Sequence, residues 1–237
     1  MWPVNFLLRV LGIGVLQSVA ARTSPAVATV VQFSLIVAGT LLPLVPLLSG
    51  AVGLPDLLVY TVLAMALSVA GTLVRLDTMA RQTSTSRFMM LHYGIMIGIL
   101  SLVCGVWAVI LLVVTGGPSG GWWALLPMAL ALVVSNGWSL ADGWFIRGGR
   151  HLARLWQVVL PGYLRFAPLL LATVFAAVAI LGEGSSATRL WIAVGLLVSQ
   201  SVIDLALAVA SLKLTRRGPA ASEAQREPDQ PGHHSQA

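Results

Sequence analysis

Residues 88–114 read FMMLHYGIMIGILSLVCGVWAVILLVV, a run without a single Asp, Glu, Lys or Arg. A helix needs about 20 predominantly apolar residues to cross the hydrocarbon of a bilayer, at roughly 1.5 Å of rise per residue. This run meets that length with residues to spare. Working outward from it, five more stretches qualify: 26–48, 54–74, 122–146, 163–181 and 190–212. The expected fold is all-α, a polytopic bundle of six transmembrane helices.

Composition agrees. Of the 237 residues, 57% are hydrophobic and 9% charged, and the mean hydropathy is +0.90. Soluble domains carry roughly 25% charged residues, and a soluble chain of this size has too much surface to hide so much apolar area. The net charge of +6 would suggest nucleic acid in a soluble domain. Here the basic residues are confined to short connections, so no nucleic-acid partner is expected.

Those connections alternate. Arg75, Arg81 and Arg87 share one, and Arg147, Arg150, Arg154 and Arg165 another. Arg9 and Arg22 precede the first crossing, and Lys213, Arg216, Arg217 and Arg226 follow the last. The intervening connections, 49–53, 115–121 and 183–189, hold only Arg189. Positive charge is retained on the cytoplasmic face, so both termini are expected in the cytoplasm, which requires an even number of crossings. The expected location is the inner (plasma) membrane of a bacterium. Trp122, Trp123 and Trp191 are expected at the outer interface and Trp144 at the inner one, where amphipathic rings settle. Trp107 and Trp138 lie deeper and read as packing residues.

Three regions follow. Residues 1–25 form an N-terminal segment whose apolar part, 6–21, is interrupted by Arg9 and Gln17. It reads as a short helix lying in the inner interface. A seventh crossing and a signal peptide cleaved near Ala21 are the alternatives, and cleavage would break the charge alternation. Residues 26–214 form the transmembrane domain. Residues 215–237, rich in Pro, Gly, Ser, Gln and charge, are expected to be a disordered cytoplasmic tail. Pro43 and Pro46 should kink the first crossing and Pro168 the fifth.

Polar residues inside the crossings are the functional hints, because a charge in hydrocarbon is costly unless it faces protein or water. Asp204 lies about 13 Å along its helix from Lys213, too far to snorkel out. Gln200 and Ser201 share its face. The fourth crossing carries Asn136 and Asp142 with Ser135 and Ser139. His92 enters the third crossing, and Arg165 opens the fifth as the natural countercharge for Asp142 or Asp204. The candidate polar core is therefore His92, Asn136, Asp142, Arg165, Gln200 and Asp204, at one level of the cytoplasmic half. Gly94, Gly98, Ser101 and Gly105 make a small-residue stripe suited to close helix packing. Cys104 is the only cysteine, His92 is the single intramembrane histidine, and no nucleotide or hydrolase motif is present. Neither a metal nor a cofactor is expected.

The segments His92-Tyr93-Gly94, Ser135-Asn136-Gly137-Trp138-Ser139, Pro161-Gly162-Tyr163-Leu164-Arg165-Phe166 and Asp204-Leu205 carry a resemblance. Over residues 54–214 the chain resembles a family of uncharacterised bacterial multi-pass membrane proteins, a domain of unknown function. The resemblance implies the fold and a shared polar core. Asn136 stands where that pattern has a histidine in Ser-His-Gly, Cys104-Gly105 replaces a His-Gly pair, and Ala208 lies where a histidine follows Asp-Leu. Such departures argue against carrying over a metal or redox role.

Three functions fit the sequence. The first is a non-enzymatic subunit or scaffold in the bilayer, assembled with itself or with a membrane protein partner. The second is a small transporter or proton-coupled channel using Asp142 and Asp204. The third is a membrane enzyme using His92 with Asp142 or Asp204 as acid and base.

Overall fold

A computed structural model describes residues 12–80, 83–118 and 122–224 of the chain. The described residues are helical throughout their ordered elements, with no strand among them. In chain order the helices are α1 (Ile13–Ala20), α2 (Pro25–Leu48), α3 (Leu54–Asp77), α4 (Ser84–Val114) and α5 (Trp122–Trp138). A π-helical segment, Ser139–Ile146, continues α5, and α6 (Gly149–Leu152), α7 (Leu155–Leu181) and α8 (Ser186–Ala224) follow. Five helices are long and apolar enough to cross a membrane: α2, α3, α4, α7 and the part of α8 up to Ala210. These apolar helices mark the chain as a membrane protein.

Helix ends follow local chemistry. Ser24 accepts the Val27 amide, with Pro25 in the first turn of α2, where its missing N–H costs nothing. The Asp56 carboxylate accepts the Gly53 amide at 2.8 Å at the start of α3. Thr83 and Ser86 bond reciprocally at the start of α4, a capping box. Gly116 and Gly117 have φ of 92° and 94°, a conformation that lets the chain turn directly after α4.

α3 is the hub. It packs most extensively on α4 and also touches α7, α5 and α8, while α2 lies against α5 and α8 and α1 against the π segment. Its first turns, 54–58, are buried on every side, and beyond them Thr61, Met65, Ser68, Thr72 and Leu76 continue at spacings of three or four, the period of a buried helical face. α4 shows the same spacing through Tyr93, Ile97, Ser101, Cys104, Ala108 and Leu111. Its opposite face, with Leu91, Ile95, Ile99, Leu102 and Val106, is equally apolar but exposed. A helix apolar on both faces suits contact with lipid.

The core comprises two large clusters and a small third one of Ala20, Ala28 and Trp138. One large cluster gathers Met65, Val74, Tyr93, Ile97, Leu140, Trp144, Val159, Phe166 and Leu169. The other gathers Leu47, Leu57, Leu58, Ala108, Leu111, Met128, Ala176, Leu196 and Leu197.

Several expectations need adjusting. α7 begins at Leu155, not Tyr163, and runs through Pro161 and Pro168. A proline inside a helix surrounded by other helices is tolerated because its neighbours compensate for the lost bond. Arg165 consequently lies well inside α7. Trp107 is 42% exposed while Trp138 is 5% exposed, so only the second packs inside. Trp123 and Trp191 are exposed at 82% and 71%. Helix α8 continues over 215–224, the first part of the stretch expected to be disordered. The rest of that tail, and residues 1–11 of the N-terminal segment, lie outside the described residues. Within the small-residue stripe, a Cβ on Gly94 or Gly105 would meet Leu73 or Val62 of α3, whereas Gly98 faces open space.

Candidate functional site

Ser68, Thr72 and Arg75 occupy one face of α3 at spacings of four and three residues. Ser68 and Thr72 are buried, at 5% and 2% exposure. Facing them on α7 is Arg165, whose Nε donates to Asp204 Oδ1 of α8 at 2.6 Å and whose Nη1 donates to Ser68 Oγ at 2.9 Å. One guanidinium therefore ties three helices. The pair is not sealed, since the Arg165 and Asp204 side chains are 28% and 36% exposed.

Arg75 reaches the π segment, where its Nη2 donates to Ser139 Oγ at 2.9 Å. Tyr93 of α4 closes the back of this layer. Its ring meets Tyr163 edge-on with centroids 5.6 Å apart, and a Cβ placed on Gly162 would overlap the Tyr93 hydroxyl. Glycine at 162 is thus what lets α7 approach the phenol. That hydroxyl stands beside Thr72 without a hydrogen-bond partner of acceptable geometry.

Asp142 belongs to a separate cluster. Its Oδ2 lies 2.9 Å from Arg147 Nε, and its side chain is 4% exposed against 22% for Arg147. Arg147 Nη2 also donates to the Pro25 carbonyl at 3.0 Å, tying the start of α2 to the end of the π segment. Close by in sequence, Trp144 Nε1 donates to Thr78 Oγ1 at 2.8 Å.

Of the six sequence candidates, the structure joins Arg165 and Asp204 directly. Asn136 is satisfied within its own helix, donating to the Leu132 carbonyl at 2.9 Å. Gln200 is partly buried on α8. His92 is exposed and stacks on Phe88, with centroids 5.8 Å apart and planes 15° apart, so it is not brought to the arginine layer. Sequence reasoning missed Ser68, Thr72, Arg75 and Tyr93. The stripe of Ser68, Thr72 and Arg75 at helical spacing was the signal for three of them.

Chemically, the layer offers guanidinium and hydroxyl donors together with one carboxylate already held by Arg165. No curated protein and no solved structure matches the chain. A family model described as "Family of unknown function (DUF6498)" matches residues 22–225.

Proposed function

We propose a role for a chain that belongs to this family of unknown function: a non-enzymatic subunit or scaffold of a bacterial inner-membrane assembly. It crosses the bilayer six times with both ends in the cytoplasm. The crossing added to the five long apolar helices is α5 with its π continuation, fourth in chain order and one uninterrupted helical stretch over 122–146. With Arg165 set inside α7, twelve of the other 13 basic residues fall on the cytoplasmic side in that threading. Its partner is a second copy or another membrane protein.

The observation that carries this reading is the brace of Arg165 on Asp204 and Ser68. Both intramembrane carboxylates that a proton path or an acid–base pair would use are held by arginines, and the histidine needed for the enzymatic reading faces outward. A brace of this kind organises helices. Its loss leaves Arg165 without its anion, at a cost of about 1–3 kcal/mol once partial exposure is allowed for. Asp204→Leu should therefore reduce the yield of monodisperse protein in detergent several-fold, while Glu183→Gln, in an exposed connection, leaves it unchanged. Equal yields would remove the structural role.

Threading has its own test. In a Cys104→Ala background, cysteines at Ser185 and at Arg150 should react with an impermeant maleimide from opposite faces of oriented vesicles. Labelling of both from one face would remove the six-crossing arrangement, without bearing on the brace.

A further inference from the structure

Arg165 and Asp204 point into the bundle. On α7, Val158, Gly162, Leu169 and Ala172 share the face of Arg165, at separations of seven, three, four and seven residues, and all four are buried. On α8, Ala193, Leu197 and Ala208 share the face of Asp204 and are buried as well, since residues three, four, seven or eleven apart line one side of a helix. Yet the two side chains keep 28% and 36% of their surface open. Inward direction and open surface together require a space within the bundle beside the pair.

The packing of α2 accounts for that space. α2 lies against α5 and α8, and it touches α3 where the Tyr60 hydroxyl donates to the Gly39 carbonyl at 3.0 Å. Gly39 lies roughly 21 Å along α2 from Pro25. Over that first half α2 is drawn the other way: Arg147 Nη2 donates to the Pro25 carbonyl, and Ala28 packs on Trp138 of α5. Beyond Tyr60 and Gly39, Leu47, Leu57, Leu58, Leu196 and Leu197 close the far half with apolar side chains. The space therefore opens toward the end that carries Arg22, Arg147 and Arg154.

Polar groups along it lack protein partners. Gln32, seven residues before Gly39 on the same face of α2, and Gln200, one turn before Asp204 on α8, are partly buried. Neither side chain hydrogen-bonds to another described residue. Asp204 is bonded through Oδ1 and Arg165 through Nε and Nη1, which leaves Oδ2 and Nη2 without a partner among the described residues. Such groups are costly in hydrocarbon, and water satisfies them.

We infer that an aqueous vestibule enters the bundle from this end, between α2, α3 and α8, and stops at Arg165, Asp204 and Gln200, so that water and small hydrated solutes reach the pair. The inference rests on the packing of these helices and not on a scaffold role. The face of the membrane from which it opens follows the threading proposed above.

Gln32→Cys, Gln200→Cys, Val202→Cys and Leu205→Cys, each in the full Cys104→Ala chain, test this with a charged, impermeant methanethiosulfonate in oriented membrane vesicles. Val202 and Leu205 are 61% and 45% exposed, point away from the face of Asp204, and lie nearer the basic end than Gln200. A thiol reacts as its thiolate, which forms in water and not in lipid. Gln32→Cys and Gln200→Cys should therefore react about tenfold faster than the two lipid-facing variants, and from the cytoplasmic face alone. The same pattern from the opposite face alone would uphold the vestibule and reject the threading. Equal rates at all four positions, no reaction at either inward position, or reaction there from both faces would overturn the vestibule. The two inward positions sit on different helices and neither bonds to the brace, so one decides the matter if the other variant does not fold.

Discussion

Asp142→Leu is expected to be the most damaging single substitution in the chain, lowering the recovery of folded protein by an order of magnitude. The carboxylate is 4% exposed and lies 2.9 Å from Arg147 Nε. Removing one member of a buried pair strands the other charge, at a cost of about 3–5 kcal/mol. Arg147 also holds the Pro25 carbonyl, so the start of α2 should loosen with it. The double variant Asp142→Leu/Arg147→Leu should regain much of the loss, because replacing both charges with apolar groups leaves nothing stranded. Thermal unfolding of the wild type and the two variants in detergent measures this directly. A double variant no better than the single one would show that the charge balance is not what matters.

Gly162→Ala is the second large effect. The added Cβ would lie 2.6 Å from Cζ and 2.7 Å from Cε2 of Tyr93, as well as overlapping its hydroxyl. Tyr93 is wholly buried and a phenol ring cannot bend, so α4 and α7 must separate. Overpacking of this kind costs about 1–3 kcal/mol, and contact with two ring carbons and the hydroxyl oxygen places this case at the upper end. Adding Tyr93→Leu should restore part of the stability, a coupling that a double-mutant cycle on the unfolding midpoint detects. Wild-type stability in Gly162→Ala alone would refute the close approach.

The helices were readable because hydrocarbon-length apolar runs are an unambiguous signal. The run at 88–114 lies inside α4 (Ser84–Val114), and the one at 54–74 inside α3 (Leu54–Asp77). Where prolines interrupted the pattern the reading stopped short: Pro161 and Gly162 hid the first two turns of α7. The polar layer was only half readable. Depth along a helix follows from residue count, so Arg165 and Asp204 fell at related levels. Which aspartate Arg165 would meet depends on helix rotation, which spacing leaves open. From the sequence Arg75 reads as a charge of the basic connection, because it follows directly on a crossing. A side chain there can instead turn back toward the preceding turn, and this one reaches Ser139. Arg147 was overlooked as the partner of Asp142 because a separation of five residues is not a neighbour relation on an α-helix.

That separation follows from the wide turn of residues 139–146. The Arg147 amide donates to the Asp142 carbonyl at 2.9 Å, and the Arg147 guanidinium holds the carboxylate of the same residue. Main chain and side chain thus clasp one pair of residues twice, across a loop one residue longer than an α turn. The charges therefore act as a latch on winding. Releasing them is expected to let the segment tighten to ordinary pitch and rotate the chain beyond it, shifting the azimuth at which α6 and α7 leave the π segment.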